Sequence, residues 1–318
     1  MIKLRHYFIV IAFALALFIW GCCSDFSISG VLYNDNSNFA AAIIASDYIL
    51  ILYSFVAFIA ILLFIMAVPK HKGWKTWLPI TVAVLFFGLM SYMYFDDLKE
   101  LGGTKDFAGT SDLVLYGETG MWIHNGVIYF LMLVGAYAIY HFFFRNANKN
   151  TMLRASSIIC VVIFIDLCAS VAFKYLWSRP RPWYVYSGMG GLSPEEIFRN
   201  LWQPQPFKAF HPENGITSSW LKSFPSGHTE RAVISAGALI SLSSLLPKFN
   251  NERSRTVFLY FSLIYGIVTG LLRVCAGAHF MGDVSFGIIL GATLIYFGNW
   301  ISYKYHLIEF SELPASQN

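Results

Sequence analysis

Residues 155–182 read ASSIICVVIFIDLCASVAFKYLWSRPRP. From Ala155 to Phe173 the only charged side chain is Asp166, and an apolar run of this length crosses about 30 Å of hydrocarbon as a helix. Pro180 and Pro182 then stop it, because proline lacks an amide N–H and disfavours helical geometry in the residue before it. Lys174, Arg179 and Arg181 are left where the helix meets the interface. Two more clusters of this kind occur at the ends of apolar runs, Pro225-Ser226-Gly227-His228 and Arg273…His279…Asp283.

The rest of the chain has the same character. Of 318 residues, 57% are hydrophobic and 13% charged, with a mean hydropathy of +0.57, which excludes an ordinary soluble domain. Runs at residues 7–23, 47–68, 76–95, 123–144, 155–176, 229–247, 256–274 and 282–303 are long enough to span. Backbone groups in lipid must be satisfied internally, and uninterrupted runs do this as helices. The predicted fold is an all-α polytopic membrane bundle of about eight transmembrane helices. The net charge of +4 calls for no nucleic acid, since loop lysines and arginines also set membrane orientation. The five cysteines have no metal-finger spacing and behave as small hydrophobes.

Basic residues fall in alternate loops: Lys3 and Arg5; Lys70, Lys72 and Lys75; Arg145, Lys149 and Arg154; Lys248, Arg253 and Arg255; and Lys304. Those loops are expected on the cytoplasmic side. Segments 24–47 and 96–125, with Asp25, Asp35, Asp96, Asp97 and Glu100, are expected outside. Counting onward puts all three polar clusters on the outer face. The start of the chain has a second reading, because two basic residues, a short apolar stretch and Gly21-Cys22 resemble a signal or lipoprotein leader, although Trp20 stands where a small residue is expected.

Each cluster has a plain reading beside a chemical one. Lys174 and Arg179 suit snorkelling toward headgroups. Ser226 suits a helix cap, yet the same turn suits an anion, because a helix N-terminus offers free N–H groups and the positive end of the dipole. His279 and Asp283, four residues apart at a helix entry, are expected to pair, the carboxylate accepting the imidazole N–H. The turn 274–278 can fold Arg273 back toward His279. His228, His279 and Asp283 could also form a two-histidine, one-carboxylate metal face, but Lys174, Arg181 and Arg273 at the same place favour an oxyanion. No metal or cofactor is therefore expected.

The pattern Lys174-x6-Arg181-Pro182, Pro225-Ser226-Gly227-His228, Arg273-x5-His279-x3-Asp283 resembles the three-part signature of the type 2 phosphatidic acid phosphatase superfamily, which includes vanadium haloperoxidases. It departs at Leu272, where that family usually has serine. The resemblance implies that His279 attacks phosphorus to form a phosphohistidine, that Asp283 orients it, and that His228 protonates the leaving oxygen. Lys174, Arg181, Arg273, Ser226 and the N–H of Gly227 would hold the phosphate. It further implies a six-helix core over 76–304 with an outer loop at 183–224, two preceding helices in 1–75, and a tail at 305–318.

The expected activity is that of a lipid phosphatase in the cytoplasmic membrane, with its site facing outward. Its substrate would be undecaprenyl pyrophosphate or a lipid of the phosphatidate or phosphatidylglycerophosphate class. Competing readings are a lipid A phosphatase or phosphotransferase, a vanadate-dependent haloperoxidase, and a protein that binds or transports phospholipid without chemistry.

Smaller features complete the reading. Gly266-x-x-x-Gly270 and Gly287-x-x-x-Gly291 mark close helix approach. Asp166, in mid-membrane, is expected in a structural hydrogen bond or ion pair, and Glu230 and Arg231 in a local pair. The aromatics of 183–224, among them Trp183, Trp202 and Trp220, fit an interfacial lid or a plain connection.

Overall fold

The computed structural model describes residues 2–32, 40–70, 73–97, 118–187, 191–212 and 215–304. The described residues are helical with no strand. In chain order the long helices are α1 (Leu4–Leu32), α2 (Ala40–Ala67), α3 (Trp74–Asp97), α4 (Glu118–Ile139) and α5 (Lys149–Trp177). The loop after α5 holds two single-turn helices, α6 (Pro182–Tyr186) and α7 (Pro194–Ile197), and α8 (Gly227–Leu242), α9 (Glu252–Cys275) and α10 (Met281–Lys304) follow. Six segments among the described residues are long and apolar enough to cross a membrane, namely α1, most of α3, 122–144, 149–186, α9 and α10. The chain is an all-α multi-pass membrane protein.

Local chemistry sets the helix ends. The Asn148 side chain accepts from the amides of Asn150 at 2.9 Å and Thr151 at 3.2 Å, and Asn251 caps α9 through the Ser254 amide at 2.9 Å, satisfying N–H groups that have no partner inside the helix. Helix α5 closes on Ser178, which adopts the left-handed conformation and returns its N–H to the Lys174 carbonyl at 3.0 Å. Pro180 and Pro182 follow, as the sequence required. Helix α1 differs from its expected span of 7–23, since it continues through Leu32 and takes Asp25, assigned above to an outer loop, into the helix.

Helix α10 lies against α1, α8 and α9, while α2 packs on α3, α5 and α8. Tyr53, Phe58, Leu63, Met152 and Ile163 fill one core, and Tyr7, Val10, Leu259 and Ile288 fill a second. Outward faces of α3 and α4 leave Trp77, Leu85, Phe130 and Leu131 exposed, which suits lipid as solvent. The glycine pairs sit at close helix contacts. A methyl on Gly270 would lie 2.1 Å from Val284, and one on Gly291 would lie 2.9 Å from Val233. Side chains at these points would force α8, α9 and α10 apart. Segment 305–318, most of the acidic stretch 96–125, and Lys72 lie outside the described residues.

Candidate active site

Four helix ends meet at one end of the bundle: the C-termini of α5 and α9 and the N-termini of α8 and α10. The helices antiparallel to their neighbours thus bring together three clusters separated by about a hundred residues of chain. Lys174 comes from α5, Arg181 from the strap after it, Ser226, Gly227 and His228 from the start of α8, and Arg273 from the end of α9. Arg181 and His228 are each 9% exposed, and Arg273, His279 and Asp283 are no more than 1% exposed. Burial lowers the local dielectric, so each charge here acts more strongly than at a wet surface.

The turn between α9 and α10 folds as expected. The amides of Ala278 and His279 both reach the Arg273 carbonyl, at 3.0 and 3.3 Å, and Gly277 takes a φ of +65°, open to glycine at little cost. His279 is thereby held beside Arg273. A methyl on Gly227 would lie 3.2 Å from the Lys174 ammonium, so the glycine leaves room for the cation at the helix mouth. Ser226 does not cap α8 with its side chain. Its hydroxyl instead meets the Thr229 hydroxyl at 2.9 Å, and its amide donates to the Asp283 carbonyl at 3.2 Å, which ties α8 to α10.

His279 Nδ1 faces the backbone carbonyl of Ser223 at 2.5 Å. A carbonyl only accepts, so Nδ1 carries the proton and Nε2 keeps its lone pair. The expected pairing of His279 with Asp283 does not form. Asp283 Oδ1 accepts from Arg179 Nη1 at 2.6 Å, and Oδ2 accepts from the Ser223 hydroxyl at 2.5 Å and the Phe280 amide at 2.9 Å. The physical reason is the helix boundary. Helix α10 begins at Met281, so His279 precedes it and the four-residue spacing of a helix face does not apply. Asp283 occupies the third helical position and reaches back to the amide of the capping residue. Both of its oxygens are thus engaged, which also removes it from the metal face considered above.

Burial, followed by Arg181, Arg273 and Lys174, pushes the His279 imidazole well below the ordinary histidine range. A neutral ring ringed by three cations is a nucleophile in a pocket made for an anion. His228 lies within electrostatic reach of Arg273, Lys174 and His279.

Sequence reasoning missed three participants. Arg179, read as snorkelling, is 2% exposed and bonded to Asp283, to Asp25 Oδ2 at 2.9 Å and to the Arg199 carbonyl at 2.9 Å. Its guanidinium carbon lies 4.3 Å from the Phe280 ring centre. Asp25 comes from α1, and Ser223 meets His279 through its backbone carbonyl, which no side-chain pattern announces. The available signal for Asp25 was a lone carboxylate four residues beyond Gly21, at helical spacing.

The remaining candidates fall elsewhere. Asp166 is fully buried and accepts from the Tyr53 hydroxyl at 3.0 Å, the structural bond expected of it. Glu230 and Arg231 are buried as well, with Arg231 over the Tyr53 ring. In the outer loop, Trp183, Val185, Trp220 and Leu221 pack on Phe280, whereas Trp202, Phe207 and Phe210 stay exposed. The loop is fastened to the site by the Trp183 amide on the Gly277 carbonyl and by Arg181 Nε on the Ser219 carbonyl, both at 2.9 Å.

The family model of the PAP2 superfamily matches residues 155–306, a stretch that contains all three clusters. No curated protein and no solved structure matches the chain significantly.

Proposed function

We propose, on the match of residues 155–306 to the PAP2-superfamily model in a chain with membrane-spanning helices, that this protein is a membrane phosphatase hydrolysing a lipid phosphomonoester or diphosphate through a phosphohistidine. The observation that carries the proposal is the His279 ring, with Nδ1 on the Ser223 carbonyl and Lys174, Arg181 and Arg273 around it. Nε2 attacks phosphorus in line as the bond to the lipid-side oxygen breaks, and His228 gives that oxygen a proton. Water, losing a proton to His228, then breaks the P–N bond and releases phosphate. The three cations, the Ser226 hydroxyl and the Gly227 amide bind the oxygens on which charge rests, the main requirement of phosphoryl transfer.

Asp283 supports the ring indirectly, by fixing Ser223 and opposing the positive charge that the imidazole gains. The basic loops support a site on the outer face of the cytoplasmic membrane, and the exposed aromatics of the outer loop suit the headgroup layer. Undecaprenyl pyrophosphate and phosphatidate or phosphatidylglycerophosphate are the substrate groups of choice.

The test is phosphate release from a panel of these lipids by purified protein beside His279→Ala. Release by the wild type with at least a ~10³-fold loss in the variant is expected. Equal release by both would remove His279 as the nucleophile.

A further inference from the structure

Helix α1 lies outside the segment shared with the family, yet it carries Asp25 into the network behind His279. The carboxylate is 2% exposed, and its two oxygens are divided between two helix ends. Oδ1 accepts the Gly282 amide at 2.8 Å and Oδ2 accepts Arg179 Nη2 at 2.9 Å. The first bond answers a need of α10 itself. Its capping residue, Phe280, has no side-chain oxygen, and of the amides at this helix start Asp283 accepts that of Phe280, so the Gly282 N–H takes its acceptor from another helix. Gly21 makes the approach possible, because a methyl there would lie 2.6 Å from the Gly282 nitrogen. Lower down, ring pairs Phe18–Phe286 at 5.9 Å and Tyr7–Tyr296 at 4.8 Å keep α1 in register along α10.

The second bond completes Arg179. A buried guanidinium must have its N–H groups met. The Arg199 carbonyl meets Nε, Asp283 Oδ1 meets Nη1, and Asp25 meets Nη2. Without Asp25, Arg179 keeps Asp283 as its carboxylate partner, whose Oδ2 holds the Ser223 hydroxyl. Capture of that oxygen by Arg179 would release Ser223, whose carbonyl sets the His279 tautomer.

Resting on the phosphatase reading above, we propose that Asp25 is a positioning residue for His279, acting through Arg179, Asp283 and Ser223, so that α1 is a working part of the active site. In Asp25→Asn the shape is kept, but one of the two donors faces an amide NH2. kcat is expected to fall about 10- to 100-fold, the range for losing a group that orients a reactive ligand, with KM within about twofold. A second readout separates positioning from loss of active protein. The charges acting on His279 are Lys174 from α5, Arg181 from the strap and Arg273 from α9, with His228 from α8 beside it and the Arg179–Asp283 pair behind Ser223. Removing a negative charge behind this set disfavours the imidazolium, so the acid limb of kcat/KM moves to lower pH. Fewer active molecules would not move it.

Gly21→Val, which pushes α1 from α10 without touching a charge, should also lower kcat. Hydrogen exchange of the peptide 276–285 should quicken in both variants, because Gly21→Val moves the acceptor away from the Gly282 amide and Asp25→Asn leaves one oxygen for the two donors, Gly282 and Arg179; this arm needs no substrate. Wild-type protein that releases phosphate from no lipid would overturn the phosphatase reading while exchange still decides the network. Asp25→Asn with unchanged kcat, acid limb and exchange would overturn the proposal. So would failure of both variants to fold, which would make Asp25 a folding residue only.

Discussion

Asp283 and Asp166 are both completely buried, as is Glu230 among the described residues, and the surroundings of the two aspartates differ. Asp283, at the reactive end, accepts from a guanidinium, a hydroxyl and a backbone amide, which belong to three separate stretches of chain. Asp166, in mid-membrane, accepts from the Tyr53 hydroxyl and links α5 to α2. The first network fixes the direction of a ring that must react. The second ties two helices together and feels the charge of Lys174. Burial of charge in a membrane therefore marks two kinds of site here, told apart by whether the carboxylate's donors lead to the reactive ring.

Breaking the first network should have the larger effect. Arg179→Met leaves Asp25 and Asp283 buried without their shared cation, and removing one partner of such a pair costs about 3–5 kcal/mol. Unfolding in mixed detergent micelles should show that loss, with a fall in kcat beside it. Stability close to wild type would mean that the two carboxylates do not depend on Arg179.

The pH profile probes the same end more gently. Burial and the three cations hold the His279 pKa well below the ordinary histidine value, which is about 6.5. The neutral nucleophile therefore persists at acid pH, and the acid limb of kcat/KM should fall well below pH 6.5. The sign for stability follows. A group whose charged form is penalised in the folded state lowers folding stability as pH drops below its unfolded value. Arg181→Gln, which removes one of the cations, should move the limb upward, and a limb unmoved by that change would show that Arg181 does not act on the ring.

The second network should give the smallest effect. Tyr53→Phe removes one neutral donor to Asp166, so about 1–3 kcal/mol of stability should be lost while kcat stays unchanged. A substantial fall in kcat would join the two networks and erase the distinction drawn between them.

Much of this was legible in the sequence because it depends on short-range rules. Pro180 and Pro182 ended α5 where expected, the glycine pairs marked close contacts, and alternate polar ends of antiparallel helices had to meet on one face. Where the reading failed, the cause was a boundary or a backbone atom. The pairing of His279 with Asp283 assumed a helix that begins two residues later. Asp25 was hidden by the extra turns of α1 after Cys23, and Arg179 by the habit of long cations to reach for water. The Ser223 carbonyl has no sequence signature, since every residue has one and only the fold selects it.

The central claim, that His279 is the nucleophile, is tested most directly by quenching the purified protein in alkali during turnover of a labelled lipid phosphate and locating the phosphate by mass spectrometry. A phosphoryl group on the peptide that contains His279, absent from His279→Ala, is the predicted result. Label on the peptide that contains His228, or turnover with no phosphohistidine at any quench time, would contradict it.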